Sequence, residues 1–229
     1  MALNFDPRSA ELLSHDTHLP AVPLERLTPG ALADRFAAPP PWQPDIEIER
    51  WMRAPNPRPA SVLVPLVMRP EPTVLLTQRT AHLSQHAGQI SFPGGRQDPE
   101  DPHPQATALR EAEEEVGLLP ERVQVLGSMP TYTTGTGFVV TPVVGLIRPE
   151  VDEAHALQLR PQADEVADIF EVPLAFLMDP RHHQRRGLQV GAMQLEYFAM
   201  PWQAPQGQEY FIWGATAAML RNLYRFLAA

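Results

Sequence analysis

A glycine pair followed by an acidic helix constrains this chain more than any other feature. Gly94-Gly95 leads, and Arg110-Glu111-Ala112-Glu113-Glu114-Glu115-Val116-Gly117 follows. Residues 106–116 read as a helix stopped by Gly117, with Pro120 soon after. At about 100° per residue, with Glu111 at zero, Glu114 falls near 300° and Glu115 near 40°, so three carboxylates share one face. Leu109, Ala112 and Val116 fall between about 100° and 160°, an apolar arc that can pack on a sheet. Arg110 precedes Glu114 by one helical turn and can pair with it. Clustered carboxylates repel one another, which makes sense if a hard divalent cation sits among them, because Mg²⁺ and Mn²⁺ prefer oxygen ligands. The Gly94-Gly95 turn brings bare backbone to the same place, and its carbonyl could complete such a shell. On the helix alone, a solvated charged face is the simpler account of an acidic run, and Glu113, near 200°, is read as such a residue.

The flanking segments suggest a sheet around this helix. Residues 61–68 and 73–79 read as two strands of a hairpin-like pair, separated by Arg69-Pro70-Glu71-Pro72. Residues 81–105 form a long loop rich in Gly, Pro, His and Gln, a length that usually marks function or disorder. Strands are expected at 123–129 and 138–147, an extended run at 163–170, and a short helix at 173–178. The chain closes with an extended segment at 210–213 and a helix at 215–227, whose Met219, Leu220, Leu223 and Leu227 share a face. Prolines crowd the first sixty residues, including Pro39-Pro40-Pro41. Residues 1–57 are therefore read as a Pro-rich N-terminal extension with one helix at 30–38, leading into a domain over 58–229.

Composition narrows the chemistry. A hydrophobic fraction of 44% over 229 residues supplies a core. The absence of cysteine excludes disulfides, thiolate nucleophiles and Cys-ligated zinc. The absence of lysine excludes Schiff-base chemistry and the lysine-dependent phosphate loop. A formal charge of −9 argues against nucleic acid as a partner, while bound divalent ions leave a small phosphate substrate open. The apolar run at 60–68 is far short of the roughly 20 residues a membrane span needs. The first residues carry acids where a secretory signal would be apolar. No membrane association is expected, and a cytoplasmic location is.

The segment from Gly95 to Leu118 resembles the Nudix box, the glycine-to-REUxEExGU signature of Nudix hydrolases. Arg110-Glu111, Glu114-Glu115, Gly117 and Leu118 occupy its positions, and Ala112 takes the first aliphatic position. Gly95 lies 15 positions before Arg110, one more than the common spacing, and Asp101 stands where a Glu is usual. Upstream, Leu75-Leu76-Thr77-Gln78-Arg79-Thr80, then Gly88, then Phe92-Pro93-Gly94-Gly95 resemble the added signature of the coenzyme A pyrophosphatase branch. The spacing matches throughout, with Thr80 in place of Ser and Ser84 in place of an Arg that would be one phosphate contact. The longer box also resembles this branch.

The resemblance implies an α/β fold, the Nudix α/β/α sandwich with a mixed central sheet. It implies metal-dependent hydrolysis of the pyrophosphate of coenzyme A or its derivatives, giving adenosine 3′,5′-bisphosphate and (acyl-)4′-phosphopantetheine. The expected cofactor is Mg²⁺ or Mn²⁺, held by Glu111, Glu114, Glu115 and the Gly95 carbonyl. Glu111 serves as ligand or base, Arg110 orients the carboxylates, and Glu165 is a candidate base or further ligand outside the box. Arg79, Gly88, Gln89 and Phe92 are the expected substrate contacts.

For several residues a plainer role competes. Arg79 fits either a diphosphate or a structural ion pair, and the resemblance favours the substrate. Thr134 and Gly135, in a small-residue loop, could contact substrate or simply make a turn. His86 could touch ligand, though a loop hydrogen bond is the plainer role. Arg181-His182-His183-Gln184-Arg185-Arg186 could capture a 3′-phosphate, but an exposed turn is the safer reading. The expected partner is a small nucleotide of the coenzyme A class, with a homodimer left open. The alternatives are a Nudix pyrophosphatase for ADP-ribose or dinucleotides and a non-catalytic Nudix-fold binding module.

Overall fold

Two ten-residue strands form the spine, β2 (Arg58–Val67) and β8 (Phe138–Ile147), parallel and in register from Arg58↔Phe138 to Val67↔Ile147. Both are runs of Val, Leu and Ile because both of their faces are covered, as a parallel pair in a layered fold requires. The structure is a computed structural model and describes residues 6–45, 57–82, 87–149, 157–190 and 193–229. Strand β3 (Thr73–Arg79) returns from β2 as a hairpin through Leu66↔Val74, and β9 (Val166–Pro173) adds antiparallel to the outer side of β3. On the other flank β6 (Val123–Ser128) and β7 (Tyr132–Thr133) pair antiparallel with β8. The expected loop at 81–105 contains two short strands, β4 (Ile90–Ser91) on β3 and β5 (Gly94–Arg96) on β2. Their pairing is with distant strands, so no alternation inside the segment announces them.

Helices cover both faces of this mixed sheet, the α/β/α sandwich expected from the sequence. On one face α2 (Pro104–Val116) lays Ala108, Ala112 and Val116 over Leu63, Val67, Leu75, Val143 and Ile147. On the other, α4 (Gly214–Ala228) packs with α1 (Pro29–Ala37) and α3 (Leu174–Leu177) over Leu66, Val74, Leu76 and Leu146. Leu63, Leu66, Leu75 and Leu76 are wholly buried, and each such leucine contributes about 1.5–3 kcal/mol to folding. The expected face of α4 packs, with Leu220, Leu223 and Leu227 almost fully buried, and so do Arg221, Asn222, Tyr224 and Phe226 on its other sides. No helix among the described residues is long and apolar enough to cross a membrane.

Of a second, four-stranded antiparallel sheet only the segment at 210–213 is among the sequence expectations. Its order is β1 (Glu11–His15), β10 (Gln184–Val190), β11 (Met193–Gln203), β12 (Glu209–Trp213). The basic run, expected to be an exposed turn or a phosphate site, begins as a short 3₁₀ turn at Pro180–His182 and continues from Gln184 as strand β10. Strand β1 comes from the N-terminal segment and pairs with β10. From that same segment, Val22, Leu27 and Leu32 enter the larger core. Arg221 of α4, 2% exposed, pairs with Asp16 at 2.8 Å and Asp45 at 3.2 Å. Ser84 and His86 lie outside the described residues.

Candidate active site

The acids of α2 sit where several strand ends meet. The starts of β2, β8 and β9, the end of β3, and the three-residue β5 all lie at one end of the sheet, as the registers require. Helix α2 begins with His103, whose Nδ1 accepts the Ala106 N–H at 3.1 Å, and with Pro104 at its first turn. It stops at Gly117, left-handed at φ 70°, whose N–H returns to the Glu113 carbonyl. These caps fix the register of Glu111, Glu114 and Glu115 against β5.

The three acids differ in environment. Glu115 is 5% exposed and accepts the Gly94 N–H at 3.3 Å. Burial pushes its carboxyl up to about 7, against the opposing pull of Gly94 and Arg79. Glu111 is partly buried and paired with Arg110 at 3.0 Å, and burial raises its carboxyl too. Glu114 is mostly exposed and meets the same guanidinium at 3.1 Å.

Arg110 is itself anchored. Asp101 takes its fork at 2.9 and 3.2 Å, and the Arg96 carbonyl accepts from it at 3.2 Å. That hydrogen bonding holds the Asp101 carboxyl well below the usual range and raises Arg110. The orienting role expected of Arg110 therefore has a partner the sequence reading passed over.

Two glycines make this approach possible. A β-carbon on Gly94 would lie 2.5 Å from the Ser61 carbonyl oxygen, and one on Gly95 would lie 2.5 Å from the Glu111 carboxyl. At Gly94 the obstacle is the backbone of β2, and at Gly95 it is the end of the Glu111 side chain.

Arg79 leaves the end of β3 on the face that carries Leu75, towards α2. Its NH1 lies 3.8 Å from Glu115 Oε1 and its NH2 3.8 Å from Glu165 Oε2. Both distances are longer than a hydrogen bond, and its buried Nε has no partner. Glu165 is brought there by the β3–β9 register and by Thr80, whose N–H donates to the Glu165 carbonyl at 2.9 Å.

The remaining expected contacts divide. Gly88, at φ 69°, and Gln89 lie next to the end of β3, where the Gln89 carbonyl accepts the Arg79 N–H at 2.9 Å. Phe92 is 2% exposed and packs in the larger core, so its ring does not face the open site. Thr134 and Gly135 form a turn at the same end of the sheet. The Thr134 hydroxyl accepts the Phe138 N–H at 3.0 Å and contacts Thr136 Oγ1, so its groups serve the turn.

The basic run around β10 is committed elsewhere. Arg181 pairs with Asp179, Arg185 with Asp16 and Asp45, and Arg186 with the Arg8 and Ala10 carbonyls. A cavity of about 490 Å³ beside β9 is lined by Leu75, Leu157 and Ile169 among others, and none of the α2 acids lines it.

Among the described residues no three Asp, Glu, His or Cys side chains stand together as a ready metal site; Glu111 and Glu114 both meet Arg110, and Glu115 lies 3.8 Å from Arg79. The donor set nevertheless fits a hard divalent cation. All its members are oxygens, the missing β-carbon of Gly95 lets the Glu111 carboxyl lie against the backbone, and Glu115 is a buried carboxyl whose ionised form a neighbouring cation would stabilise.

Comparison with known proteins adds to this geometry. A family model described as a NUDIX domain matches residues 57–189. An uncharacterized Nudix hydrolase, NudL, of Escherichia coli K12 is 44% identical over 169 residues, covering 73% of this chain and 82% of that protein. The protein of the same description from Shigella boydii serotype 18 matches to the same extent. Among solved structures, the Nudix hydrolase RenU of M. smegmatis aligns with a TM-score of 0.42 at 24% identity, over 51% of this chain and 71% of its own.

Proposed function

Because this chain belongs to the Nudix hydrolase family, whose members act on small nucleotide substrates with divalent metal ions, we propose that it hydrolyses the pyrophosphate of coenzyme A or its derivatives. The products are adenosine 3′,5′-bisphosphate and (acyl-)4′-phosphopantetheine. The observation that carries this reading is Arg79, a loosely held guanidinium between Glu115 and Glu165 with its Nε unpartnered. It belongs to the run of Arg79, Gly88 and Phe92-Pro93-Gly94-Gly95 that resembles the coenzyme A branch.

We assign Mg²⁺ or Mn²⁺ to Glu111, Glu114, Glu115 and the Gly95 carbonyl. When bound, such an ion supplies positive charge at the diphosphate and makes a nearby water more acidic. Arg79 binds the diphosphate through its planar fork and fixes its direction. Glu165 Oε2, half-exposed just before the start of β9, accepts the proton of the attacking water, with Glu111 as the other carboxylate for this role. The water oxygen bonds to phosphorus as the bridging P–O bond breaks, leaving one phosphate of the diphosphate on each product, beside the 3′-phosphate that the adenosine half already carries. Arg110, held by Asp101, keeps Glu111 and Glu114 aimed at the same place. Catalysis is then largely positioning and charge stabilisation. The reading places the chain in the cytoplasm, acting as a monomer or homodimer.

The test is incubation with coenzyme A and Mg²⁺ or Mn²⁺, beside a chelator control, with products identified by mass. Metal-dependent release of the two named products supports the reading. Cleavage of ADP-ribose or a dinucleotide instead overturns the coenzyme A assignment, and ligand-induced stabilisation without any product leaves a binding module.

A further inference from the structure

We propose that Arg58 and Arg96 form a second anion subsite, which receives the phosphate on the ribose of the nucleotide half; this deepens, and rests on, the coenzyme A reading above, where that group is the 3′-phosphate.

The strand registers place the two arginines together. Arg96 pairs with Ala60 across β5 and β2, and Arg58 precedes Ala60 by two residues. Cross-strand partners share a face, as do alternate residues of one strand. Both arginines therefore leave the sheet on the face of Ala60, opposite the one where Gly95 meets Glu111. Arg96 directly follows Gly95, so a ligand lying over the end of β5 touches the metal-binding backbone on one face and Arg96 on the other.

The Arg58 side chain is held in place and that of Arg96 is open to an anion. The Arg58 guanidinium stacks 3.9 Å over the Phe138 ring, its partner on β8, and its NH2 donates to the Thr136 carbonyl at 2.9 Å. The stack fixes the plane of the fork, and its other donors have no partner among the described residues. Arg96 is exposed, and Arg110 holds its carbonyl, which fixes the backbone from which its side chain departs. Among the described residues no carboxylate pairs with either arginine. Asp98, which continuation of the β2–β5 ladder would set opposite Arg58, meets Arg110 at 3.6 Å instead. In a chain of net charge −9, two such arginines beside a cluster of acids point to a negatively charged ligand group. The other basic cluster, around β10, has its guanidinium groups engaged within the fold.

The diphosphate cannot be this group, because the acids and Arg79 lie on the opposite face. A phosphomonoester elsewhere on the nucleotide half is the remaining anion of the coenzyme A class. Two charge-assisted guanidinium contacts are the usual way to read such a dianion.

Substrate discrimination tests the proposal. Wild-type protein, Arg58→Ala and Arg96→Ala are compared by kcat/KM on coenzyme A and on 3′-dephospho-coenzyme A. The wild type is expected to favour coenzyme A at least tenfold, and either substitution to bring that ratio towards one, chiefly through KM. No preference in the wild type, or a preference that both variants retain, overturns the subsite and leaves the coenzyme A reading standing. Calorimetric binding of adenosine 3′,5′-bisphosphate against adenosine 5′-monophosphate gives a readout independent of turnover. Tighter binding of the bisphosphate that is lost in Arg58→Ala, in a protein that cleaves no coenzyme A, keeps the subsite and discards the reading. Equal binding of both nucleotides discards the subsite.

Discussion

The Glu111 carboxyl lies against the bare backbone of Gly95, where a β-carbon would come within 2.5 Å of it. The neighbouring Gly94 is equally crowded, but by the Ser61 carbonyl and the Val62 Cα, which are backbone. The same methyl group therefore does different things at adjacent positions. Gly95→Ala displaces a flexible side-chain end, so the melting temperature should stay within a few degrees while turnover falls by about a hundredfold, as misplacing a catalytic group does. Gly94→Ala has to move strand β2 and should lose about 1–3 kcal/mol of stability, the range for overpacking. Chemical denaturation together with metal-dependent turnover of the two variants checks the contrast. Equal stability loss in both would mean that Gly95 serves only the fold.

Glu115 is a buried carboxyl facing an arginine 3.8 Å away, too far to replace what burial removes. Glu115→Gln keeps the shape and the acceptor for the Gly94 N–H while deleting the desolvated charge. In chelator the variant should melt at or above the wild-type temperature, and its turnover with Mg²⁺ should fall by at least about a hundredfold, the scale of losing an essential electrostatic contact. A variant that is less stable yet still active would make Glu115 a structural acid.

Arg79 offers a planar fork to its surroundings, and the diphosphate assigned to it needs that geometry. Arg79→Ala should raise KM by about tenfold or more, the size of one lost charge-assisted contact. Arg79→Lys should recover little, since an ammonium presents a point charge in place of two parallel donors. Steady-state kinetics on the three proteins separates this from a structural role. Full rescue by lysine, or unchanged kinetics in the alanine variant, would return Arg79 to the ion-pair network of Glu115 and Glu165.

The parts of this molecule that could be read from sequence are those whose signal is local. Glu111, Glu114 and Glu115 share a face because of helical spacing, and Gly117 stops that helix by its own conformational freedom. The second sheet was not legible for the opposite reason. All five residues of β1 are exposed and show no alternation, and β10 opens with Gln184, Arg185 and Arg186. These are strand residues through ladders with β1 and β11, and Asp16, Asp45 and the Arg8 and Ala10 carbonyls, far away in the chain, receive the arginines. Asp101 escaped for a related reason. Its partner Arg110 is nine residues away, across a loop whose path no periodicity describes. Phe92 illustrates a third limit. A motif supplies its position beside the site, but the side chain turns into the core with Val64, Leu66 and Leu76.

The remaining prediction concerns the clamp between α4 and the N-terminal segment. His183 is fully buried, and its Nδ1 lies 3.0 Å from Arg221 NH1, which can only donate. The ring is therefore neutral, with its proton on Nε2 donating to the Leu177 carbonyl at 2.8 Å. Burial, with Arg221 adding to it, lowers His183 to about 4, against an ordinary value of 6.5. An unfolded chain takes up this proton below about 6.5, whereas the folded protein resists it until about 4. The contribution is thus fully present above pH 6.5 and is lost as the pH falls from there towards 4. Glutamine can accept from Arg221 and donate to Leu177 without titrating. His183→Gln should therefore flatten the fall in melting temperature between pH 7.5 and pH 5 relative to wild type, with the smaller difference at the higher pH. Parallel melting curves for the two proteins across that range would mean that the acid sensitivity comes from other groups.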